Sequence, residues 1–178
     1  MRLQSARQGH HHRAWTEPTA WGAVAILSGV RADWMGQAQR SRLKKQLAAM
    51  SGDDLAVRAR NRARVRSVRG HPKVFEHIKN KIVVSGSGKA LADLTATDRI
   101  DGYLSDRDYM LLLGRYRLEK DWDGQITLRV TTFDIHIVDQ LAKAGPALAA
   151  LDLADSMDSR ERATGIDLLD RTIGAVHA

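Results

Sequence analysis

The 178-residue chain has no cysteine and is poor in aromatic residues, with two Phe and three Tyr. The lack of cysteine excludes disulfides and thiolate metal sites. A core must therefore depend on Leu, Val, Ile and Ala. The longest apolar run, residues 20–30, is too short to span a bilayer. Glu17 and Pro18 interrupt the signal-peptide pattern that the preceding arginines begin. We expect a cytoplasmic protein with no membrane segment.

Charge is distributed unevenly along the chain. Residues 1–80 carry 16 Lys and Arg against 5 Asp and Glu, or +11, whereas residues 81–178 carry 12 against 16, or −4. A strongly basic half is typical of a protein that binds a polyanion. The alternative is that the basic half neutralises the acidic half, within the chain or across a homo-oligomer.

Composition and periodicity divide the chain into three regions. Residues 1–18 have no apolar period and predict a disordered tail, in which three adjacent histidines make a poor metal site. Residues 19–80 predict a basic helical segment, and residues 81–178 a small mixed α/β domain with a helical C-terminus. The fold class is therefore α+β. Helices are predicted in the second region over 19–30, 36–50 and, with Ser51 as cap, to about 61.

The most basic stretch of the chain lies at residues 58–69. Its six arginines are Arg58, Arg60, Arg62, Arg64, Arg66 and Arg69. On a strand the first five would share one face, and we expect a helix that gives way to a strand near Arg64. Arginines at this density predict a surface that contacts the phosphates of duplex DNA, with a solvated face as the alternative. The run has no aromatic residue, which argues against stacking on single-stranded bases.

Residues 81–94 predict a strand, a Gly/Ser turn and a helix, in the manner of a phosphate-binding loop. That loop has a glycine five residues before its Gly-Lys pair and a Ser or Thr directly after it. If Gly88 and Lys89 are the pair, the motif requires glycine at 83 and Ser or Thr at 90. The chain has Val83 and Ala90 instead. We therefore expect the turn at 86–89 to be structural and no cofactor to bind there.

A helix capped by Ser105 precedes two predicted strands, 118–120 and 125–130, which flank a turn at 121–124. The predicted apolar face of that helix consists of Met110, Leu111, Leu113 and Tyr116. A helix followed by a hairpin has the outline of a winged helix. The acidic residues at the hairpin tip would repel DNA, so this part is not expected to read it.

The last third of the chain is predicted to be helical and carries several carboxylates. For Asp152, Asp155, Asp158 and Asp170 we expect capping or solvent-facing roles rather than a metal site. No catalytic triad, metal motif or dinucleotide fingerprint appears in the sequence. No catalysis is expected, although a small nuclease using His71 or His136 is retained as an alternative.

Several segments carry a resemblance to a known family. They are Ser85-Gly86 after the predicted strand, Gly102-Tyr103-Leu104, residues 126–130, and the closing residues 149–162. Over roughly residues 60–178 the chain resembles actinobacterial regulators related to the AbiE-type antitoxins of type IV toxin–antitoxin systems. The resemblance implies a self-repressing antitoxin or transcription regulator that binds DNA, with a cognate toxin as a protein partner.

We therefore expect a nucleic-acid-linked regulatory protein that binds duplex DNA through its basic N-terminal half. The alternatives are a protein-interaction module that docks an acidic partner, and the small nuclease. No metal ion is expected to be bound.

Overall fold

The computed structural model describes residues 13–86 and 99–176. Most of the predicted tail, and the helix predicted after Gly86, lie outside the described residues. The helices are α1 (Glu17–Leu27), α2 (Gln37–Ala48), α3 (Gly52–Ala59), α4 (Phe75–Lys79), α5 (Asp106–Tyr116), α6 (Ile135–Ala144), α7 (Ala147–Ala154) and α8 (Ser159–Ala175). The strands are β1 (Arg64–Arg69), β2 (Ile100–Ser105), β3 (Glu119–Lys120) and β4 (Ile126–Thr131), and Arg60–Arg62 and Pro72–Val74 form 3-10 turns. The predicted α+β class is confirmed.

Side-chain caps begin several of these helices. The Ser51 hydroxyl accepts a hydrogen bond from the Asp54 amide at 3.2 Å, and the Ser105 hydroxyl accepts one from the Asp108 amide at 3.0 Å. Both caps were predicted, because a hydroxyl before a helix satisfies an otherwise unpaired amide of its first turn. The helix after Ser51 ends at Ala59, slightly earlier than expected.

The sheet has the order β2-β4-β1-β3 in the part of the chain described. β1 is antiparallel to both of its neighbours, and β2 is parallel to β4. The predicted hairpin of β3 with β4 is wrong, because β1 lies between them. The connecting residues cross β1 where Gly124 meets Val68. A Cβ at Gly124 would lie 2.2 Å from the Val68 carbonyl oxygen, so this crossing requires glycine.

The sheet separates two apolar layers. One sheet face packs on Phe75 and Ile78 of α4 and on Tyr109 and Leu112 of α5, and it consists of Val68, Ile100, Leu104, Ile126, Leu128 and Val130. Tyr103 belongs to the other layer, with helices from both ends of the chain. This second core includes Trp21, Val24, Leu47, Leu55, Val138, Leu148, Leu151 and Leu169.

The division of the chain at residue 80 is not a division of the structure. β1 belongs to the same sheet as β2 and β4, and α1–α3 share one apolar core with α6–α8. Glu17 adds a polar link, because its carboxylate accepts hydrogen bonds from the amides of Thr132 at 2.8 Å and Phe133 at 3.2 Å. The N-terminal helices and the predicted α/β domain are therefore packed together.

The predicted disordered tail does not extend to residue 18. The Trp15 amide donates to the Arg58 carbonyl at 2.8 Å, and α1 already begins at Glu17. These contacts fix the chain from Trp15 onward. Within the described residues, no helix combines the length and apolarity needed to cross a membrane.

Candidate nucleic-acid interface

The arginine run passes through three types of secondary structure: a helix, a 3-10 turn and a strand. It leaves α3 at Ala59, passes through the 3-10 turn Arg60–Arg62, and enters β1 at Arg64. The predicted change to a strand near Arg64 is confirmed. Because the first three arginines precede the strand, the five alternating arginines do not share one strand face.

Arg62 is buried and does not belong to the predicted DNA-contacting surface. Only 1% of it is exposed. One terminal nitrogen, Nη2, donates to Asp152 at 2.8 Å and to Asp155 at 2.5 Å, and Nε donates to the Tyr103 hydroxyl at 2.9 Å. These groups occupy the guanidinium, and a phosphate has no access to it. The prediction that Arg62 contacts DNA is therefore wrong for this fold.

Arg129 of β4 brings a second guanidinium to the same place. Its Nε and Nη2 donate to the two carboxylate oxygens of Asp101 at 2.8 and 2.9 Å, and its Nη1 lies 3.2 Å from Asp155. We call six residues the buried charge cluster: Arg62, Asp101, Tyr103, Arg129, Asp152 and Asp155. Four of them are buried, and Asp101 and Asp155 lie at its solvent side with side chains 36% and 26% exposed. The cluster joins the 3-10 turn to β2, β4 and α7.

Protonation states within the buried charge cluster follow from its environment. Burial works to raise the pKa of Asp152, but the guanidinium groups of Arg129 and Arg62 hold that pKa below its usual value. Burial also raises the pKa of Tyr103 well above its usual value. Tyr103 is therefore a neutral donor, and its hydroxyl lies 2.5 Å from Asp152. Asp152 stays ionised between its two arginines.

Two further arginines of the run are exposed but paired. Arg64 lies 2.6 Å from Asp106, with both side chains more than half exposed, and Arg69 lies 2.6 Å from Glu119 in a similar setting. With Arg62, three of the six arginines thus pair with carboxylates of the acidic half. Neutralisation within the chain accounts for that part of the run.

The remaining arginines differ in exposure. Arg60 and Arg66 are exposed and make no ion pair with any residue the structure describes. Arg58 is half-buried, with its guanidinium carbon 5.6 Å from the centre of the Trp15 ring. Arg60 and Arg66 are therefore the members of the run that are open to an anion.

Helix α2 adds a second group of exposed cations. Its buried residues, Leu43 and Leu47, face the core. Arg42, Lys44 and Lys45 are exposed, and none of them forms an ion pair within residues 13–86 and 99–176. The sequence prediction of the site omitted them, although three cations around two leucines at helical spacing mark the exposed side of the helix as basic.

The other candidate residues have local structural roles. The His71 ring accepts a hydrogen bond from the Lys73 amide at 3.2 Å, and Asp134 accepts one from the His136 amide at 2.9 Å. Asp158 caps α8, as expected for these carboxylates. Asp152 departs from that expectation, because it is buried and paired.

No metal-ligand cluster of His, Asp or Glu occurs in the described residues. Comparisons of the chain with protein-family models, curated proteins and solved structures found no match.

Proposed function

We propose that the protein is a nucleic-acid-linked regulator, of the antitoxin or transcription-regulator kind, that binds duplex DNA through its basic N-terminal half. The observation that supports this proposal is the exposure of Arg60 and Arg66, together with the basic face of α2, without carboxylate partners in the described structure. Cations of this kind bind phosphates and release the counterions of DNA, which favours association at low salt.

Arg64 and Arg69 extend the proposed surface. An exposed ion pair contributes only about 0–1 kcal/mol to stability. Each of these arginines can therefore exchange its carboxylate for a DNA phosphate at small cost. Arg62 is excluded, because its removal from the buried charge cluster would leave Asp152 without one of its two cations.

A different role for the strand arginines follows from the sheet. β1 pairs with β3 only at Val68 and Arg69, so Arg64 to Arg66 lie at an edge that no other described strand covers. Charged side chains on such an edge prevent pairing with a second molecule. Edge protection predicts that neutral replacements cause self-association and leave DNA binding unchanged.

A salt titration of DNA binding distinguishes the two roles. We expect fluorescence anisotropy with a labelled duplex to give affinity that falls steeply with salt. Arg60→Gln combined with Arg66→Gln should flatten the log–log slope by about two, since each lost phosphate contact removes about 0.9. The loss should be alike for unrelated duplex sequences, because phosphates carry no sequence information.

The charge-matched control combines Lys143→Gln with Arg160→Gln, two exposed positions of the acidic half. It removes the same charge and should leave the slope unchanged. An equal loss of DNA affinity in this control would show that the effect depends on net charge and not on the two arginine positions. Sedimentation of the Arg66 variant reports the competing edge role, which predicts dimers or larger species.

The antitoxin part of the proposal is supported by the resemblance over residues 60–178. It is tested by co-expression with the product of the neighbouring gene, if that gene encodes a nucleotidyltransferase-like toxin. We expect the chain to relieve the growth arrest that such a toxin causes. A failure to relieve it would remove the antitoxin role and leave the DNA-binding proposal to its own test.

A further inference from the structure

Helix α5 exposes two large residues of its predicted apolar face. Met110 is 63% exposed and Leu111 is 59% exposed. The positions that face the core belong instead to Tyr109 and Leu112. Of the predicted apolar face, Leu113 and Tyr116 pack against the core, whereas Met110 and Leu111 form an apolar stripe on the outer side of α5.

The stripe continues one turn further at Gly114. An added Cβ at this glycine would meet no atom within 4 Å. Gly114 is thus not required by packing within the described protein, and its lack of a side chain lets another backbone approach α5 closely. Beside the stripe lies a shallow depression of about 150 Å³, lined by Lys81, Asp108, Leu111, Leu112, Arg115 and Tyr116.

Cations border this apolar surface. Arg107, Arg115 and Lys81 are exposed and form no ion pair with residues in the described ranges. Of the nearby carboxylates, Asp106 pairs with Arg64, whereas Asp108 accepts from the Ser105 hydroxyl and keeps its negative charge, so the three cations still leave a positive excess. We call this surface the α5 face, defined by Lys81, Arg107, Met110, Leu111, Gly114 and Arg115.

We propose that the α5 face binds an acidic amphipathic helix of a second protein. Met110 and Leu111 present adjacent apolar side chains, and Gly114 in the next turn leaves room for the apolar side chains that such a helix carries at i, i+3, i+4 spacing. Methionine also adapts to the shape of a partner. The cations at the border match carboxylates beside those apolar residues.

Charge and apolar contact also argue against two other occupants of the α5 face, a second copy of the chain and duplex DNA. Two copies of the chain packed through this face about a two-fold axis would bring one set of cations against the same set on the partner. Such like-charge contact disfavours association. Duplex DNA would satisfy the cations but would leave Met110 and Leu111 without an apolar partner. The α5 face adjoins the proposed DNA surface at the Arg64–Asp106 pair but shares no residue with it, so each proposal can fail without the other.

The test uses a fluorescent synthetic peptide of about 16 residues, long enough for roughly four helical turns. It carries leucine at helical spacing and glutamate elsewhere. We expect saturable binding in anisotropy that weakens with salt. A peptide with lysine in place of glutamate, and a scrambled peptide of the same composition, should bind at least tenfold more weakly, by about 1.4 kcal/mol.

Paired variants locate the binding. The double substitution Met110→Gln with Leu111→Gln should weaken binding of the peptide at least tenfold, as expected for residues that become buried anchors of an interface. The double substitution Arg107→Gln with Arg115→Gln should weaken binding of the peptide and reduce the salt dependence of that binding. Trp122→Gln is the matched control, since Trp122 is 94% exposed and lies outside the α5 face. It should bind like the parent.

Four results would overturn the proposal. They are absence of saturable binding, equal binding of the scrambled peptide, binding that survives in the Met110/Leu111 variant, and displacement of the peptide by duplex DNA through that same face. Sedimentation of the parent supplies a further check. A dimer that dissociates in the Met110/Leu111 variant would identify a second copy as the occupant and would equally overturn the proposal.

Discussion

Replacing Arg62 with glutamine should destabilise the fold strongly, although four of the other five arginines in its run are exposed. The substitution removes the ion pairs to Asp152 and Asp155 and the hydrogen bond to Tyr103. The Asp152 side chain is 2% exposed, so water cannot replace the lost donor. The Tyr103 hydroxyl still donates to Asp152, but the remaining cation, Arg129, has its Nη1 3.5 Å away, beyond good hydrogen-bond distance.

The size of the effect follows from the loss of one of the two cations beside the buried Asp152 carboxylate. Removing one partner of a buried ion pair costs about 3–5 kcal/mol. Domains of ordinary stability unfold with about 5–15 kcal/mol, so the loss is a large fraction of the total. For a chain of this size each kcal/mol lowers the melting temperature by about 2–4 °C. We therefore expect a decrease of roughly 6–20 °C.

Thermal and urea unfolding of the variant beside Arg60→Gln provides the measurement. Arg60 lies in the same 3-10 turn and is exposed, so its replacement should change stability by no more than about 0.5 kcal/mol. If Arg62→Gln unfolds within that margin of Arg60→Gln, the reasoning from a buried, paired arginine is refuted.

Two further predictions concern Asp152 and the strand crossing at Gly124. Because its pKa is lowered in the fold, ionised Asp152 contributes stability above its usual unfolded pKa of about 3.9, and this contribution is lost as the pH falls through the folded value. The stability difference between the parent and Asp152→Asn, followed by urea unfolding, should therefore shrink below about pH 4; a difference that grows there would contradict the assignment. Gly124→Ala should cost about 1–3 kcal/mol or more, since its Cβ would collide with the Val68 backbone. Gly114→Ala is the matched control, because an added Cβ there meets no atom within 4 Å, and it should stabilise α5 by up to about 1 kcal/mol in the same melts. Equal changes in stability for both variants would refute the close approach of Gly124 to Val68.

Features fixed by neighbouring residues were predictable from the sequence. Ser51 and Ser105 mark helix starts because a cap depends on residues within one turn. The change from helix to strand near Arg64 was likewise visible in the local pattern. The partners of Arg62 lie 90 and 93 residues away, at Asp152 and Asp155. One sequence contains no signal for that pairing, so the burial of Arg62 was not predictable.

The wrong hairpin prediction and the partial burial of the apolar face of α5 have different causes. The turn signal around Gly124 was correct locally, but strand pairing is decided by tertiary contacts, and β1 occupies the place between β3 and β4. In α5 the four consecutive residues from Met110 to Leu113 are apolar, so periodicity does not select the buried face. Packing against the sheet selects Tyr109 and Leu112.

The central claim is that the arginine run contains both structural and DNA-contacting residues. Its most direct test is the affinity for one duplex at about 50 mM salt, measured for two variants below their melting temperatures. Arg62→Gln, still folded, should bind DNA like the parent. Arg60→Gln with Arg66→Gln should melt like the parent and bind roughly 100-fold more weakly, since each phosphate contact contributes roughly tenfold at this salt. Full affinity in the Arg60/Arg66 variant, or lost affinity in folded Arg62→Gln, would contradict the claim.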